Sequence, residues 1–172
     1  LNANAPTREI QAPLAFNVIP WIDSPLENGQ TREENKAGAE SRKILEQPIV
    51  IDGICTRVSS LRSHALAMTI QLKQALDLPE ILERLDNAHP WVKVIPNEKQ
   101  PTLDHLTPLA VANHLEIAVG RIRPSAISPN HVHLFCVGDQ LLWGAAEPLR
   151  RTLQLALGIP STSEPMSVAT TT

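Results

Sequence analysis

The sequence predicts an α+β fold, a mixed and largely antiparallel sheet with helices on one face. Two observations point there. Extended segments such as HALAMTIQLK, IAVGRIRP and HVHLFCV are joined to others by short loops, without the even strand–helix alternation of a doubly wound sheet. Helix start signals fall singly among them, each marked by a capping residue or a proline.

Taken in order, residues 1–12, LNANAPTREIQA, begin without Met and read as a linker from a preceding part of a longer protein. The next residues look extended as far as Asp23, and Pro20 excludes a helix there. Thr31 and Glu34 form a capping box that opens a helix over about 32–46; Gly38 weakens it and Pro48 closes it. IVIDGICTRV (49–58) reads as a strand, SSLRS as a loop, and HALAMTIQLK (64–73) as a second strand with His64, Leu66, Met68, Ile70 and Leu72 on one face. The two strands are expected to close as a hairpin. Asp77 and Pro79 start a helix running to about His89, WVKVI is a short strand, and Thr107-Pro108 opens a further short helix. IAVGRIRP and HVHLFCV are strands. Asp139 caps an apolar-striped helix over about 138–157 that Pro148 should kink or divide, and 158–172 is a Ser/Thr/Pro tail expected to be disordered.

Composition narrows the function classes. The chain has 172 residues, 42% hydrophobic and 19% charged, which suits one domain with appendages and a real core. Aromatic content is 3% with no Tyr, so aliphatic residues must build that core. A net charge of −3, without a basic stripe, gives no electrostatic case for nucleic acid. No apolar run is long enough to span a membrane, and Cys55 and Cys136 form no CxxC pair, so a reduced cytoplasmic setting is the expectation. The seven glycines form neither GxGxxG nor GxxxxGK[ST], so no phosphate-cradling loop is encoded.

The candidate chemistry sits in a few side chains. Glu40 and Lys43 share a face of the first helix, as a surface ion pair or as separate holders of a cation and an anion. Arg57 and His64 flank the SSLRS loop, where an arginine can grip a carboxylate with two bonds and a histidine can move protons near neutral pH; a polar hairpin end is the plainer alternative. His131 and His133 alternate on a strand but lack a third ligand at a sensible spacing, so no metal is expected. Cys55 reads as a buried, inert thiol within a strand. Leu141, Leu142, Ala145 and Leu149 form a packing stripe.

Several motifs then stand in one order: NVIPWID, LENGQTREE, AESRKIL, VIDGICTRVSSLRSHALAMTIQLK, WVKVIPNE, LTP, VGRIRP and VGDQLLWGAAEPLRR. From about residue 13 to 157 they closely resemble the C-terminal part of bacterial aspartate-semialdehyde dehydrogenase, in the form typical of Gram-negative bacteria. The resemblance implies the α+β domain also found in glyceraldehyde-3-phosphate dehydrogenase. It implies a catalytic and dimerisation domain over 13–137, and a final helix over 138–157 that packs on an NADP-binding domain outside this chain.

That family reduces aspartyl-4-phosphate to aspartate semialdehyde with NADPH, releasing phosphate, on the route to lysine, diaminopimelate, methionine and threonine. A cysteine nucleophile forms a thioacyl intermediate, hydride comes from the nicotinamide, and a histidine handles protons. By resemblance His64 is that acid/base, Arg57 binds the substrate α-carboxylate, Glu40 its α-ammonium, and Lys43 the phosphate. Gln140 corresponds to the glutamine near the nicotinamide. The family's Asn-Cys-Thr segment and glycine-rich nucleotide half have no counterpart here, Ala65 stands where serine is usual, and Asn35 where tryptophan is usual. The isolated chain is therefore expected to be inactive. A homodimer formed through this domain is expected, with no nucleic-acid or membrane partner. Two other classes fit the same residues: a non-catalytic dimerisation module, and a related acyl-phosphate or aldehyde reductase.

Overall fold

The computed structural model describes residues 9–159, and the chain divides into two compact units, one reaching to Ser60 and one starting at Leu61. Of the expected linker and tail, residues 1–8 and 160–172 lie outside the described residues.

In the first unit, β1 (Val18–Ile19) pairs antiparallel with β2 (Arg57–Val58), Val18 opposite Val58 and Ile19 opposite Arg57. Between them runs α1 (Arg32–Leu45), opened by the expected capping box. The Thr31 hydroxyl accepts the Glu34 N–H at 3.3 Å, and Glu34 Oε2 accepts the Thr31 N–H at 2.7 Å. The helix stops at Glu46, whose φ of 51° is left-handed.

The strand expected over 49–58 contracts to Arg57 and Val58. The residues before it bond to the helix and its cap instead of to a neighbouring strand. Gln30 Nε2 donates to Asp52 Oδ1 at 2.9 Å, and the Cys55 N–H donates to Glu34 Oε1 at 3.0 Å. Gly38, which the sequence marks as a weakness, is buried, and a Cβ there would stand 3.3 Å from the Ile51 carbonyl oxygen. Its missing side chain makes room for the passing segment.

The second unit is built on β3 (His64–Gln71), β4 (Val92–Val94), β5 (Ile117–Pro124) and β6 (His131–Gly138), in the spatial order β3-β6-β5-β4. The β3–β6 and β5–β6 joins are antiparallel and the β4–β5 join parallel, a mixed and largely antiparallel sheet. Each of β2 and β3 finds its partner within its own unit, so the hairpin expected between the Arg57 and His64 strands is not the pairing that forms.

Alternation along the strands sorts two apolar layers. Val132 and Leu134 of β6 pack with Val119 and Ile122 of β5, and α2 (Leu78–Asp86) covers them with Leu78, Ile81, Leu82 and Leu85. That helix starts as expected, the Asp77 carboxylate accepting the Glu80 N–H at 2.8 Å. Val137 of β6 and Ala118 of β5 belong to a second cluster with Ile95, Leu106 and Val111. There a Cβ on Gly120 would lie 2.8 Å from Leu106 Cδ2, so only glycine admits that contact. Along β5 the register shifts: Gly120 faces Phe135 but Arg123 faces His133, with Arg121 at φ 55° as the extra residue of a bulge.

The helix expected to open at Thr107-Pro108 is replaced by turns. A helix the sequence reading did not anticipate, α3 (Lys99–His105), precedes them. Pro101 is accommodated because first-turn N–H groups have no intrahelical acceptor to lose. After β6, Asp139 caps the chain, its Oδ1 accepting the Leu141 N–H at 3.0 Å, and the backbone passes through a π-helical turn, Leu142–Ala146, into α4 (Glu147–Ala156). Pro148 lies in the first turn of α4, and the wider turn before it absorbs the missing donor. Of the expected apolar stripe, Leu141 and Leu149 are 56% and 72% exposed.

Candidate functional site

In the first unit, α1 carries Glu40 and Lys43 and β2 carries Arg57. All three side chains are exposed. Nearer the start of the helix, Lys36 pairs with Glu33 at 3.5 Å, whereas Glu40 and Lys43 make no ion pair among the described residues. The surface ion pair allowed by their spacing is not formed. Arg57 is delivered by the Ile51–Cys55 segment, which Glu34 and Gln30 hold to the helix cap. The two backbone N–H groups bonded to Glu34, Thr31 first and then Cys55, keep its carboxyl below the usual range, so it stays an acceptor across the neutral range.

In the second unit, His64 opens β3 and Gln140 follows β6 by two residues. The register sets His64 opposite Gly138, so both candidates stand at one end of the β3–β6 pair. Both are exposed. Gln140 lies back along the π-helical turn, where a Cβ on Gly144 would collide with its amide, at 2.8 Å from Cδ.

Below these two residues lies a network that sequence reasoning missed. Asp139 is fully buried, its Oδ2 accepting the Asn113 N–H at 2.6 Å and an Arg62 guanidinium N–H at 2.5 Å. Arg62 also donates to Asn113 Oδ1 at 2.6 Å. Burial alone would push the Asp139 carboxyl up, but the bonds from Asn113, Arg62 and Leu141 outweigh it and hold the group below its ordinary value. The sequence marked Asp139 as a helix cap; nothing in the spacing showed that its other oxygen would take Arg62.

The remaining candidates are engaged elsewhere. His133 Nδ1 shares a hydrogen bond with Thr69 Oγ1 at 2.9 Å, and His131 Nδ1 one with Ser128 Oγ at 2.6 Å. No group of three or more His, Cys, Asp or Glu side chains suited to a metal occurs among the described residues. Both cysteines are free thiols. Cys55 sits in the irregular segment, not in a strand, and burial, then Glu34 and Glu33, push its thiol up. Burial does the same for Cys136 on β6. Neither has the environment of a ready nucleophile. Among the described residues no helix is long and apolar enough to cross a membrane.

The chain is similar to several proteins of known structure. The aspartate semialdehyde dehydrogenase of Francisella tularensis is 49% identical, with a TM-score of 0.84 over 88% of this chain and 42% of its own. Aspartate semialdehyde dehydrogenase II of Vibrio cholerae, solved in complex with ASA, is 26% identical, with a TM-score of 0.75 over 90% of this chain and 44% of its own. The enzyme of Candida albicans, solved with NADP, is 17% identical and shares the fold at a TM-score of 0.58 over 84% of this chain and 46% of its own. The chain thus spans less than half the length of these solved relatives. The family model described as semialdehyde dehydrogenase, dimerisation domain, matches residues 2–143, and the chain belongs to that family.

Proposed function

We propose that the chain forms the substrate-binding and dimer-forming half of an NADPH-dependent aspartate-semialdehyde dehydrogenase, which converts aspartyl-4-phosphate to aspartate semialdehyde and phosphate. One observation carries the reading beyond family membership. Glu40 and Lys43 lie three residues apart on α1, both exposed and neither in an ion pair among the described residues, so opposite charges are offered outward instead of cancelling. A substrate bearing an ammonium, a carboxylate and a phosphoryl group needs such an arrangement.

In this reading the Glu40 carboxylate holds the α-ammonium. The Arg57 guanidinium takes the α-carboxylate through paired N–H donors, which fixes the direction as well as the charge of that group. Lys43 supplies a point charge to the phosphoryl oxygens. His64 takes the proton from the attacking thiol and later returns one to the departing group. Because burial raises both thiols of this chain, that nucleophile is assigned to the part of the enzyme matched by the rest of the relatives' length. NADPH supplies hydride when bound. Of this chain's residues, Gln140 is assigned toward it, since an exposed primary amide can both donate to and accept from a carboxamide edge. Two copies associating through this domain complete the assembly.

The test is a chimera in which this chain replaces the matching part of the Francisella tularensis relative. NADP reduction with aspartate semialdehyde and phosphate is expected in the chimera and absent in the isolated chain. His64→Asn should lower turnover by roughly 10²- to 10⁴-fold. Turnover by the isolated chain, or a chimera indifferent to His64→Asn, would overturn the reading.

A further inference from the structure

The β3–β6 ladder ends at the His64–Gly138 pair. The last pair of a ladder is where strands fray, because beyond it no cross-strand bond holds the backbones together. Here the next residues on both strands are tied down. Arg62, two residues before His64, reaches Asp139, the residue after Gly138, at 2.5 Å. The Asp139 side chain has no solvent exposure and that of Arg62 is 25% exposed, so water competes poorly for the pair. Both ions have further bonds: Arg62 to Asn113 Oδ1, and Asp139 to the N–H groups of Asn113 and Leu141.

The residue between Arg62 and His64 is itself in an uncommon state. Ser63 has a φ of 80°, left-handed for a residue with a side chain, and its hydroxyl donates to the Pro108 carbonyl at 3.1 Å. Such a conformation persists where surrounding contacts over-determine it. Ser63 stands between Arg62, whose guanidinium reaches the buried Asp139, and His64, which begins the strand.

We infer that the Arg62–Asp139 ion pair, with Ser63 held left-handed beside it, is a latch that positions the His64 imidazole and the Gln140 amide relative to one another. Arg62 and Asp139 are positioning residues: each stands within two residues of the group it sets, and neither is assigned contact with substrate. The inference rests on the functional reading for what His64 and Gln140 do, but its physical content, a locked ladder end, does not.

Two measurements separate the possibilities. In the 172-residue chain, amide hydrogen exchange is followed at the His64–Gly138 end of the ladder and at the interior Thr69–His133 pair. Asp139→Asn and, as a milder change that keeps the charge but loses the fork, Arg62→Lys are each expected to speed exchange at the end at least about tenfold and leave the interior unchanged. In the chimera, the same substitutions are expected to lower kcat roughly 10- to 100-fold while KM for aspartate semialdehyde changes less than about threefold. Unchanged exchange at the ladder end overturns the latch. Faster exchange with an unaltered kcat reduces it to a structural tie and overturns the positioning role. An inactive unsubstituted chimera counts against the functional reading, and the exchange measurement then decides the latch by itself.

Discussion

Glu34 accepts the backbone N–H of Cys55 at 3.0 Å with the carboxylate that also closes the α1 capping box. One side chain therefore starts the helix bearing Glu40 and Lys43 and fastens the segment bearing Arg57. Glutamine can serve as a capping-box partner but has one acceptor oxygen where glutamate has two. Glu34→Gln should leave α1 formed and speed amide exchange at either Thr31 or Cys55. Thr31→Ala, which removes the buried cap, should cost about 1 kcal/mol in urea unfolding. Exchange at both amides unchanged in Glu34→Gln would show that the fastening is not needed.

Gly120 is the tightest point of the sheet's second apolar layer. A methyl there meets Leu106 Cδ2 at 2.8 Å and Ile95 Cβ at 3.1 Å. Gly120→Ala should destabilise by about 1–3 kcal/mol, because the crowded neighbours must shift together. Equilibrium denaturation checks it, and a gain in stability would mean that Leu106 moves aside freely.

Gly144 presents the opposite case. The atoms a Cβ would meet belong to the Gln140 side chain, a flexible group that can swing away. Gly144→Ala should therefore leave thermal stability level or slightly higher, yet raise KM for NADP in the chimera. An unaltered KM would separate Gln140 from the nucleotide.

Lys43 and Arg57 are assigned to different parts of the substrate and should fail differently. In the chimera, Lys43→Ala should raise KM for phosphate more than KM for aspartate semialdehyde. Arg57→Lys, which keeps the charge and loses the paired donors, should do the reverse by about tenfold or more. Equal effects on both constants would contradict the division of labour.

Glu147 is the buried carboxylate of α4. It is 4% exposed and accepts from Arg150 and Arg151 at 2.7 Å, Arg150's bonds first among the causes that lower its pKa from 4.5 to about 2. A depressed carboxyl stabilises the fold fully above its unfolded value and loses that contribution as pH falls through its folded value, here between 4.5 and about 2. The contribution is at most about 3 kcal/mol. Arg151 lies 3.6 Å over the Trp91 ring, whose neighbour Trp143 is 4.8 Å away edge-on, so indole fluorescence reports on the same cluster. The acid transition in fluorescence should flatten in Glu147→Gln; an identical transition would assign the acid sensitivity to another group.

What the sequence conveyed depended on how local the cause was. The Thr31–Glu34 box and the Asp77 cap were legible because cap and helix lie within four residues of one another. The alternation of β3 was legible for the same reason. The strand over 49–58 was misjudged because its β-branched residues suit extension, while its hydrogen bonds go to Gln30 and Glu34 on the far side of α1. The α3 helix was hidden by the absence of a side-chain cap and by Pro101 in its first turn. At the candidate site, resemblance supplied the names of His64 and Gln140. That one end of a strand pair holds both, over a buried Arg62–Asp139 pair, needed the β3–β6 register.

The bulge at Arg121 gives β5 a change of phase. Before it, the small residues Ala118 and Gly120 share a face with Phe135 and Val137; after it, Arg123 lies on that same face while Ile122 turns into the layer covered by α2. Were the same residues run in unbroken alternation, without the bulge, the sides after Gly120 would exchange, sending the Arg123 guanidinium toward Ile81 and Leu134 and Ile122 toward His133. A single frame of spacing, more than any residue type, decides which surface of this sheet is oil and which is charge.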